Sequence, residues 1–386
     1  MGMPNYEDLF KQIKLNFWLI GIPYGNFAIT KRFFLFYISI IMIILAESGF
    51  IVSKVKSVNM LEITQLAPCT CVGILSVLKI TAIFLKRRKI FELSENLDRL
   101  YKTITIQSEA GPVIRSQMIS LKKYARYFFI LNAMLISVYN FSSPMIILYI
   151  YWKSGKAPYI LPYQVLLPFE INSWMRWGLV YTHSIICGFI CVLYFTTTDV
   201  LYCVLTTHIC ANFVIISNNL KRVTKTNVGI LKDIIIDHQY ILKLTEDLEE
   251  IFTGPNLFNV LVGSVIICAL GFNLAMGDLK QIPGCILFLA SVLLQILMMS
   301  VYGENIITES TKVGEAAYTC EWYELDHKTK KVILTVMTRS KKPARLTAYK
   351  FSVISYGSFC AILSTSWSYF TILRTVYTPS GSSQLN

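Results

Sequence analysis

Long apolar runs separated by polar connections dominate the hydrophobic pattern along the chain. A helix that crosses a bilayer needs about 20 apolar residues, whereas buried helices of soluble proteins give runs of about 10–14. Seven runs reach the longer class: 33–52, 66–85, 127–151, 174–195, 257–276, 282–301 and 351–373. The pattern therefore predicts an all-α polytopic membrane protein with seven transmembrane helices.

The composition supports a membrane protein. The 386 residues are 54% hydrophobic and only 15% charged, and soluble domains carry about 25% charged residues. Most of the ten cysteines fall inside the apolar runs without metal-ligand spacing, which is typical of core residues. A bridge from Cys285 to Cys69 or Cys71 stays open. No nucleophile, metal cluster or phosphate-binding loop points to an enzyme or a cofactor.

The basic residues predict the orientation of the helices. Of the 36 lysines and arginines, 27 lie in the N-terminal segment and the second, fourth and sixth connections. Basic connections stay cytoplasmic, so the N-terminus is expected inside and the C-terminus outside. That inverted topology is opposite to the topology of G-protein-coupled receptors. A receptor that couples to cytoplasmic signalling proteins and a transporter are weighed as alternatives, and the lack of a repeated half argues against the transporter.

The run boundaries divide the chain into seven parts. We expect a cytoplasmic amphipathic segment (1–32), helices one to four (33–195), a cytosolic helical connection (196–256), helices five and six (257–301), a cytosolic anchor segment (302–347), a seventh helix (348–375) and an extracellular tail (376–386).

Three stretches outside the runs are amphipathic. The N-terminal stretch, with Phe10, Ile13, Phe17 and Leu19, is expected to lie along the inner membrane surface. The fourth connection carries an apolar stripe formed by Ile230, Ile234, Ile241, Leu244, Leu248 and Ile251. A further helix is expected to start at the cap Asp326, to present Val332, Leu334, Val336 and Met337, and to end before Pro343. Such stripes must be buried within the same chain or between subunits, and the pattern leaves both open.

The last run has two unlike faces when its positions are sorted at 100° per residue. One face is small and hydroxyl-rich: Ile354, Gly357, Ala361, Ser364, Thr365, Ser368, Thr371, Ile372 and Thr375. The opposite face is large and apolar, with Ser366 as its exception: Phe359, Ile362, Leu363, Phe370 and Leu373. A small, hydroxyl-rich face either packs closely on a neighbouring helix or borders a water-filled path with an apolar constriction.

Several motifs resemble the insect odorant receptor family. The C-terminal part has AAYxCxWY (Ala316, Ala317, Tyr318, Cys320, Trp322, Tyr323), then Pro343, Leu346, Thr347, Ala348, Lys350 and Phe351, and then SYFTILR from Ser368 to Arg374. Upstream, LPYQVLLPFE followed by Trp174 and Trp177 resembles the second extracellular loop and the fourth span of that family. The TYxxxxxQF ending of gustatory receptors, which are kept as a further alternative, and the long insertion of the co-receptor are missing. The chain therefore resembles an odorant-tuning subunit.

The resemblance implies a heterotetrameric, non-selective cation channel in the plasma membrane of a sensory neuron dendrite, assembled with the odorant co-receptor and surrounded by lipid, with no nucleic acid. It implies opening by a small volatile or semi-volatile ligand, pheromones included. By position it makes Ile372 the gate and Thr375 the polar filter, where the co-receptor has an amide residue, with Ser368, Tyr369 and Val376 beside them. It also implies a shared cytosolic anchor, for which we assign Tyr318, Trp322 and Tyr323 to assembly.

The family further implies a ligand pocket in the outer half, between helices two, three, four and six. In this sequence those halves supply Val72, Leu75, Tyr139, Phe141, Ser142, Met145, Trp177, Tyr181, Ser184, Phe288 and Ser291. Intramembrane ionisable residues are candidates by default. Among them, His183 could touch ligand or serve structure, Glu47 could pair with Lys54 or reach the interface, and Lys79 is expected to extend toward the inner surface.

Overall fold

The computed structural model describes residues 6–25, 29–55, 60–103, 111–277 and 282–377. Within these ranges the chain forms ten α-helices and a two-stranded hairpin. The helices are α1 (Tyr6–Ile20), α2 (Lys31–Val55), α3 (Met60–Leu85), α4 (Arg87–Thr103), α5 (Gly111–Ser154), α6 (Trp174–Lys221), α7 (Leu231–Met276), α8 (Ile282–Thr319), α9 (His327–Ser340) and α10 (Tyr356–Tyr377). The strands are β1 (Thr347–Ala348) and β2 (Ser352–Val353), which pair antiparallel.

Seven of these helices correspond to the seven apolar runs. Helices α2, α3, α5, α6, α7 and α8 are long and apolar enough to cross a bilayer. The 22 residues of α10 span about 33 Å, which is also sufficient, but serines and threonines dilute its hydropathy. The all-α seven-helix membrane fold is therefore confirmed.

Four of the spans extend far beyond the runs that predicted them. Helix α6 has 48 residues, or about 72 Å, against a hydrocarbon core of about 30 Å. Helices α5, α7 and α8 have 44, 46 and 38 residues. The amphipathic helix expected in the fourth connection is the first half of α7 and runs unbroken into the fifth span. The basic second connection contains α4, which is too polar to count as an apolar run. Its Ile90, Leu93 and Leu97 nevertheless recur at helical spacing and are buried.

Helix α6 forms the centre of the bundle. In the most apolar 18-residue segment of α6, 89% of the residues are buried inside the chain, whereas in that of α2 only 11% are buried. Helix α1 packs on α6: the Phe10 ring stacks on His208 at 6.1 Å between centroids, and Asn16 Nδ2 donates to Thr197 Oγ1 at 3.0 Å. Phe10 and Ile13 are both fully buried. Phe17 is buried as well, while Leu19 is 37% exposed. Most of the predicted apolar face of α1 is thus covered by the protein itself, and its position along the inner membrane surface stays a prediction.

The other amphipathic stripes are also covered within the chain. The part of the predicted stripe that lies in α7 is buried, while Ile230, just before the helix, is 40% exposed. Helix α9 starts at the predicted cap, where Asp326 accepts from two backbone N–H groups. Hydrogen bonds from Thr329 hold the pKa of Asp326 below its usual value. Helix α9 buries Ile333 and leaves Leu334 61% exposed, so the prediction of Leu334 on the apolar stripe is wrong by one position.

The hairpin delays the start of the last helix, which was predicted at residue 348, with its apolar run from residue 351, and which begins at Tyr356. Its turn holds Tyr349 and Lys350 in the left-handed region, at φ 48° and 62°. The Tyr349 N–H donates to Thr253 Oγ1 of α7 at 2.7 Å, which fixes the turn on that helix. Ile354 is fully buried before α10 begins, so its assignment to the hydroxyl-rich helix face is wrong.

Two prolines inside helices create links to neighbouring helices. A proline lacks the N–H that the carbonyl four residues earlier would accept, and inside a membrane that carbonyl needs another donor. Pro68 of α3 frees the Thr64 carbonyl, which accepts from Asn273 Nδ2 of α7 at 2.7 Å. Pro144 of α5 frees the Asn140 carbonyl, which accepts from the Tyr181 hydroxyl of α6 at 3.1 Å.

A buried ion pair joins four helices in the interior. Lys79 of α3 is fully buried and its Nζ lies 2.8 Å from Asp199 Oδ2 of α6. Gln295 Nε2 of α8 donates to Asp199 Oδ2 at 3.0 Å and to Asn259 Oδ1 of α7 at 2.9 Å. The expectation that Lys79 extends toward the membrane surface is wrong, because a carboxylate on the neighbouring helix neutralises it inside the bundle.

We predict that Lys79→Met strongly destabilises the fold, because it leaves Asp199 buried and unpaired, which costs about 3–5 kcal/mol. Unfolding of the detergent-solubilised protein by heat or denaturant, followed by tryptophan fluorescence, measures the change.

The matched control is Lys89→Met, because Lys89 pairs with Glu250 at 2.6 Å while both side chains are about half exposed. It should leave unfolding nearly unchanged, since exposed pairs contribute little. Adding Asp199→Leu to Lys79→Met should recover part of the lost stability. Equal effects of the two lysine substitutions would show that the buried pair has no special role.

Candidate functional site

An apolar cavity of about 90 Å³ lies among five helices of the bundle. Its lining comes from α2, α3, α5, α6 and α8 and from the connection between α5 and α6. The lining residues are Ile40, Ile43, Ile44, Glu47, Cys69, Val72, Gly73, Asn132, Leu135, Ile136, Tyr139, Tyr163, Cys187, Gly188, Cys191, Val192, Phe195, Phe288 and Ser291. Most of these side chains are apolar, which is typical of sites for small organic ligands.

Polar groups lie at the two ends of this cavity. At one end Ser291 Oγ donates to Asn132 Oδ1 at 2.9 Å. Seven residues, or about 10 Å along α5, separate Asn132 from Tyr139 at the other end. There Glu47 Oε2 accepts from Thr70 Oγ1 at 2.9 Å, and the Tyr139 ring meets Phe288 edge-on at 5.9 Å between centroids. The predicted pairing of Glu47 with Lys54 involves a side chain outside the described residues.

A larger space of about 490 Å³, which we call the vestibule, adjoins this second end. Its wall includes the middle of the α5–α6 connection, from Ile160 to Gln164, and the start of α8. The wall residues are Glu47, Gln65, Leu66, Pro68, Cys69, Thr70, Val138, Tyr139, Ser142, Ser143, Ile146, Ile160, Leu161, Pro162, Tyr163, Gln164, Leu270, Asn273, Pro283, Gly284 and Cys285. Cys69 and Cys285 both belong to this wall, and all ten cysteines are free thiols.

Some of the proposed ligand residues face these two spaces and others face outward. Val72, Tyr139, Phe288 and Ser291 line the cavity, and Ser142 lines the vestibule. Phe141 and Met145 are 50% and 70% exposed on the outer side of α5. They lie two and six positions after Tyr139, and at 100° per residue these steps turn their side chains away from the bundle. Leu75 is buried outside the lining.

Three residues proposed on α6 hold the structure around the cavity instead of lining it. The Tyr181 hydroxyl donates its hydrogen bond to the Asn140 carbonyl that Pro144 frees. The Trp177 ring stacks on Tyr181 at 4.7 Å, and its Nε1 donates to the Ile160 carbonyl at 2.9 Å. Ser184 donates to the Val180 carbonyl of its own helix at 2.9 Å. His183 is exposed, with Nε2 3.6 Å from Cys187 Sγ.

On α6 the sequence reasoning named none of the residues that line the cavity. It also missed two further parts of the lining altogether. One is α2, whose Ile40, Ile43 and Ile44 at three-to-four spacing cannot be told from residues that face lipid. The other is Tyr163, which lies in the LPYQVLLPFE motif that the resemblance singled out.

The two faces of α10 separate as the sequence predicts. Ile362 and Phe370 are buried, while the hydroxyl-rich face with Ser364, Thr365 and Thr371 is exposed. The exceptional Ser366 on the apolar face is buried, and its hydroxyl is shared between the Ile362 carbonyl of its own helix at 2.8 Å and the Ser264 carbonyl of α7 at 3.2 Å. A hydroxyl is therefore tolerated there because carbonyls of both helices can accept its proton.

The residues assigned to the pore all lie on the exposed side of α10. Ser368 and Thr375 are exposed, and Tyr369, Ile372 and Val376 are 52%, 58% and 72% exposed. In the segment assigned to assembly, Tyr318 and Tyr323 are 69% and 61% exposed, while Trp322 packs partly against the core. These positions offer uncovered aromatic and hydroxyl surface on a single chain.

Comparisons with known proteins place this architecture in context. A family model described as 7tm Odorant receptor matches residues 59–367. Odorant receptor 85b of Drosophila melanogaster is 26% identical over 396 residues, which cover 96% of this chain and all of that protein. Odorant receptor 13a of the same species is 26% identical over 339 residues, which cover 80% of this chain and 78% of that protein.

A solved structure has the same fold. The insect olfactory receptor OR5 from Machilis hrabei, in complex with eugenol, superposes with a TM-score of 0.80 at 16% identity, over 97% of this chain and 100% of that one.

Proposed function

The chain belongs to the 7tm odorant receptor family, and from this premise we propose that it is the odorant-binding subunit of a ligand-gated, non-selective cation channel. It is a membrane receptor rather than an enzyme. The observation that carries the proposal is the apolar cavity inside the bundle, whose few polar groups lie at its two ends.

The proposed ligand is a small, largely apolar volatile or semi-volatile molecule. A cavity of this size and lining favours such a molecule by burial of apolar surface, and its polar ends can orient one oxygen-bearing group. The complex of the Machilis receptor with eugenol supports a small organic ligand for this fold.

The proposed pore runs along the hydroxyl-rich face of α10. Serine and threonine hydroxyls can hydrate passing ions, and an apolar residue among them can close the path by excluding water. We assign the constriction to Ile372 and the nearby polar position to Thr375, with Ser368, Tyr369 and Val376 beside them. The uncovered face needs further subunits to enclose a path, and we assign those contacts to the co-receptor in a tetramer, with Tyr318, Trp322 and Tyr323 in the shared anchor.

The proposed orientation keeps the N-terminus in the cytoplasm of a plasma-membrane protein. The basic residues support it, since α4 and α9 carry many of them and both belong to the same side by the basic-connection rule. The vestibule then opens to the extracellular side.

We predict that an epitope after residue 386 is labelled by antibody on intact cells, while an epitope before residue 1 is labelled only after permeabilisation. The reverse pattern would contradict the orientation and favour a receptor that couples to cytoplasmic proteins.

We predict that Val72→Phe raises the odorant concentration for half-maximal current by about tenfold or more, because the added ring overfills the cavity. Currents recorded with the co-receptor and a panel of volatiles provide the measurement. Met145→Phe adds a ring to an exposed position of α5 and should leave the response unchanged. A similar loss in both variants would contradict the assignment of the cavity.

We predict that Ile372→Ser increases the current in the absence of odorant, because a hydroxyl at the constriction favours water there. The fraction of total current present before odorant addition measures the effect. Leu45→Ser places the same side chain at a position of α2 that is 66% exposed and serves as the control. Unchanged basal current and ion preference after replacements at Ile372 and Thr375 would refute the pore assignment.

A further inference from the structure

The cavity and the vestibule share a partition of four side chains: Glu47, Cys69, Tyr139 and Tyr163. Tyr163 differs from the other three because it comes from the connection between α5 and α6. Every other described residue that lines the cavity lies on a helix. The partition therefore contains one side chain that no transmembrane helix carries.

The main chain of this connection is fixed on both sides of Tyr163. Trp177 Nε1 of α6 donates to the Ile160 carbonyl at 2.9 Å. The Leu166 N–H donates to the Ala46 carbonyl of α2, also at 2.9 Å. With the backbone held three residues away in both directions, rotation of the Tyr163 side chain is the simplest movement available to this part of the partition.

Among the described residues, the Tyr163 hydroxyl makes one hydrogen bond, which it donates to Asn140 Oδ1 of α5 at 2.9 Å. Asn140 is fully buried, and its carbonyl is fixed by Tyr181. The acceptor of this bond therefore belongs to a buried side chain, on a residue whose backbone carbonyl is tied to α6.

Gly188 of α6 provides the space that the phenol occupies. A Cβ at Gly188 would lie 2.9 Å from Tyr163 Oη and 3.0 Å from Ile136 Cδ1. Both distances are shorter than ordinary contacts, so a side chain at this position pushes the hydroxyl out of its present place beside Asn140.

We propose that Tyr163 is a lid between the vestibule and the cavity, latched by its hydrogen bond to Asn140, and that it controls which small molecules pass into the cavity. The role of the lid in odorant selection rests on the function proposed above. A molecule reaches the cavity when the Tyr163 side chain leaves Asn140 and swings out of the partition. Selection then acts on passage as well as on fit inside the cavity.

The strength of the latch suits a lid that opens repeatedly. One neutral hydrogen bond changes an equilibrium by a factor of roughly three to ten. The closed arrangement is therefore favoured, while the barrier to opening stays small enough for a side chain to cross quickly.

Two native cysteines report on the two sides of the lid. Cys187 lines the cavity but not the vestibule, and Cys285 lines the vestibule but not the cavity. The full-length receptor in lipid vesicles is treated with methyl methanethiosulfonate, a small neutral thiol reagent, and the modification of each cysteine over time is measured by mass spectrometry. In Tyr163→Phe, which keeps the ring and removes the latch, we expect the Cys187 rate to rise roughly threefold to tenfold while the Cys285 rate stays constant.

Tyr159→Phe is the matched control, since it removes the same atom from the same connection, where the Tyr159 ring packs on Trp174. Both cysteine rates should stay at the original values in this variant. Gly188→Ala should accelerate Cys187 as Tyr163→Phe does. It should add little in the Tyr163→Phe background, because no hydroxyl is then left to displace.

An unchanged Cys187 rate in Tyr163→Phe would overturn the lid. Equal acceleration of Cys187 and Cys285 would also overturn it, since that result indicates general loosening of the bundle. The measurement needs no odorant and no current, so a receptor that fails to respond to any volatile would contradict the proposed function and leave the result on the lid standing.

Discussion

The ion pair between Lys79 and Asp199 is the constraint around which the bundle is organised. Inside hydrocarbon neither charge is tolerable without the other, so α3 and α6 have a fixed register relative to each other. Gln295 extends the same requirement to α8, and through Asn259 to α7. Since α3, α6 and α8 also supply much of the cavity wall, the pair fixes the geometry in which a ligand would be bound.

The ion pair and the cavity share one side chain. The Phe195 ring lines the cavity, and the Lys79 Nζ lies 4.2 Å from its centroid, within the range of cation–π attraction. A ligand that shifts this ring therefore acts directly on the pair that positions α7 and α8. Helix α7 in turn carries the Ser264 carbonyl that accepts from Ser366 of α10. The contacts from cavity to last helix are thus continuous, and the series ends on α10, whose hydroxyl-rich face is exposed.

Sequence reasoning reached the seven helices, the faces of α10 and part of the cavity because these depend on run length and on periodicity. It failed where partners decide the outcome. Lys79 was expected at the membrane surface, because a lysine without a recognised partner is not stable inside hydrocarbon. Its partner Asp199 lies 120 positions away in the sequence, so no local pattern indicates the pair. Likewise Tyr181 had the composition of a ligand residue, but its hydroxyl is used by a carbonyl that Pro144 frees on another helix. Tyr163 belongs to an irregular connection, where no periodicity indicates the direction of a side chain.

The hydroxyls of α10 explain how one helix face can be stable against different surroundings. Ser368 donates to the Ser364 carbonyl at 3.0 Å, Thr371 to the Ser368 carbonyl at 2.8 Å and Thr375 to the Thr371 carbonyl at 2.9 Å. Each O–H is therefore satisfied by its own helix and does not require a partner on a neighbour. The remaining lone pairs of these oxygens can still accept hydrogen bonds from water. Such a face loses little in contact with lipid or an apolar helix and gains interactions when water reaches it, which is the property required of a helix whose surroundings change when a channel opens.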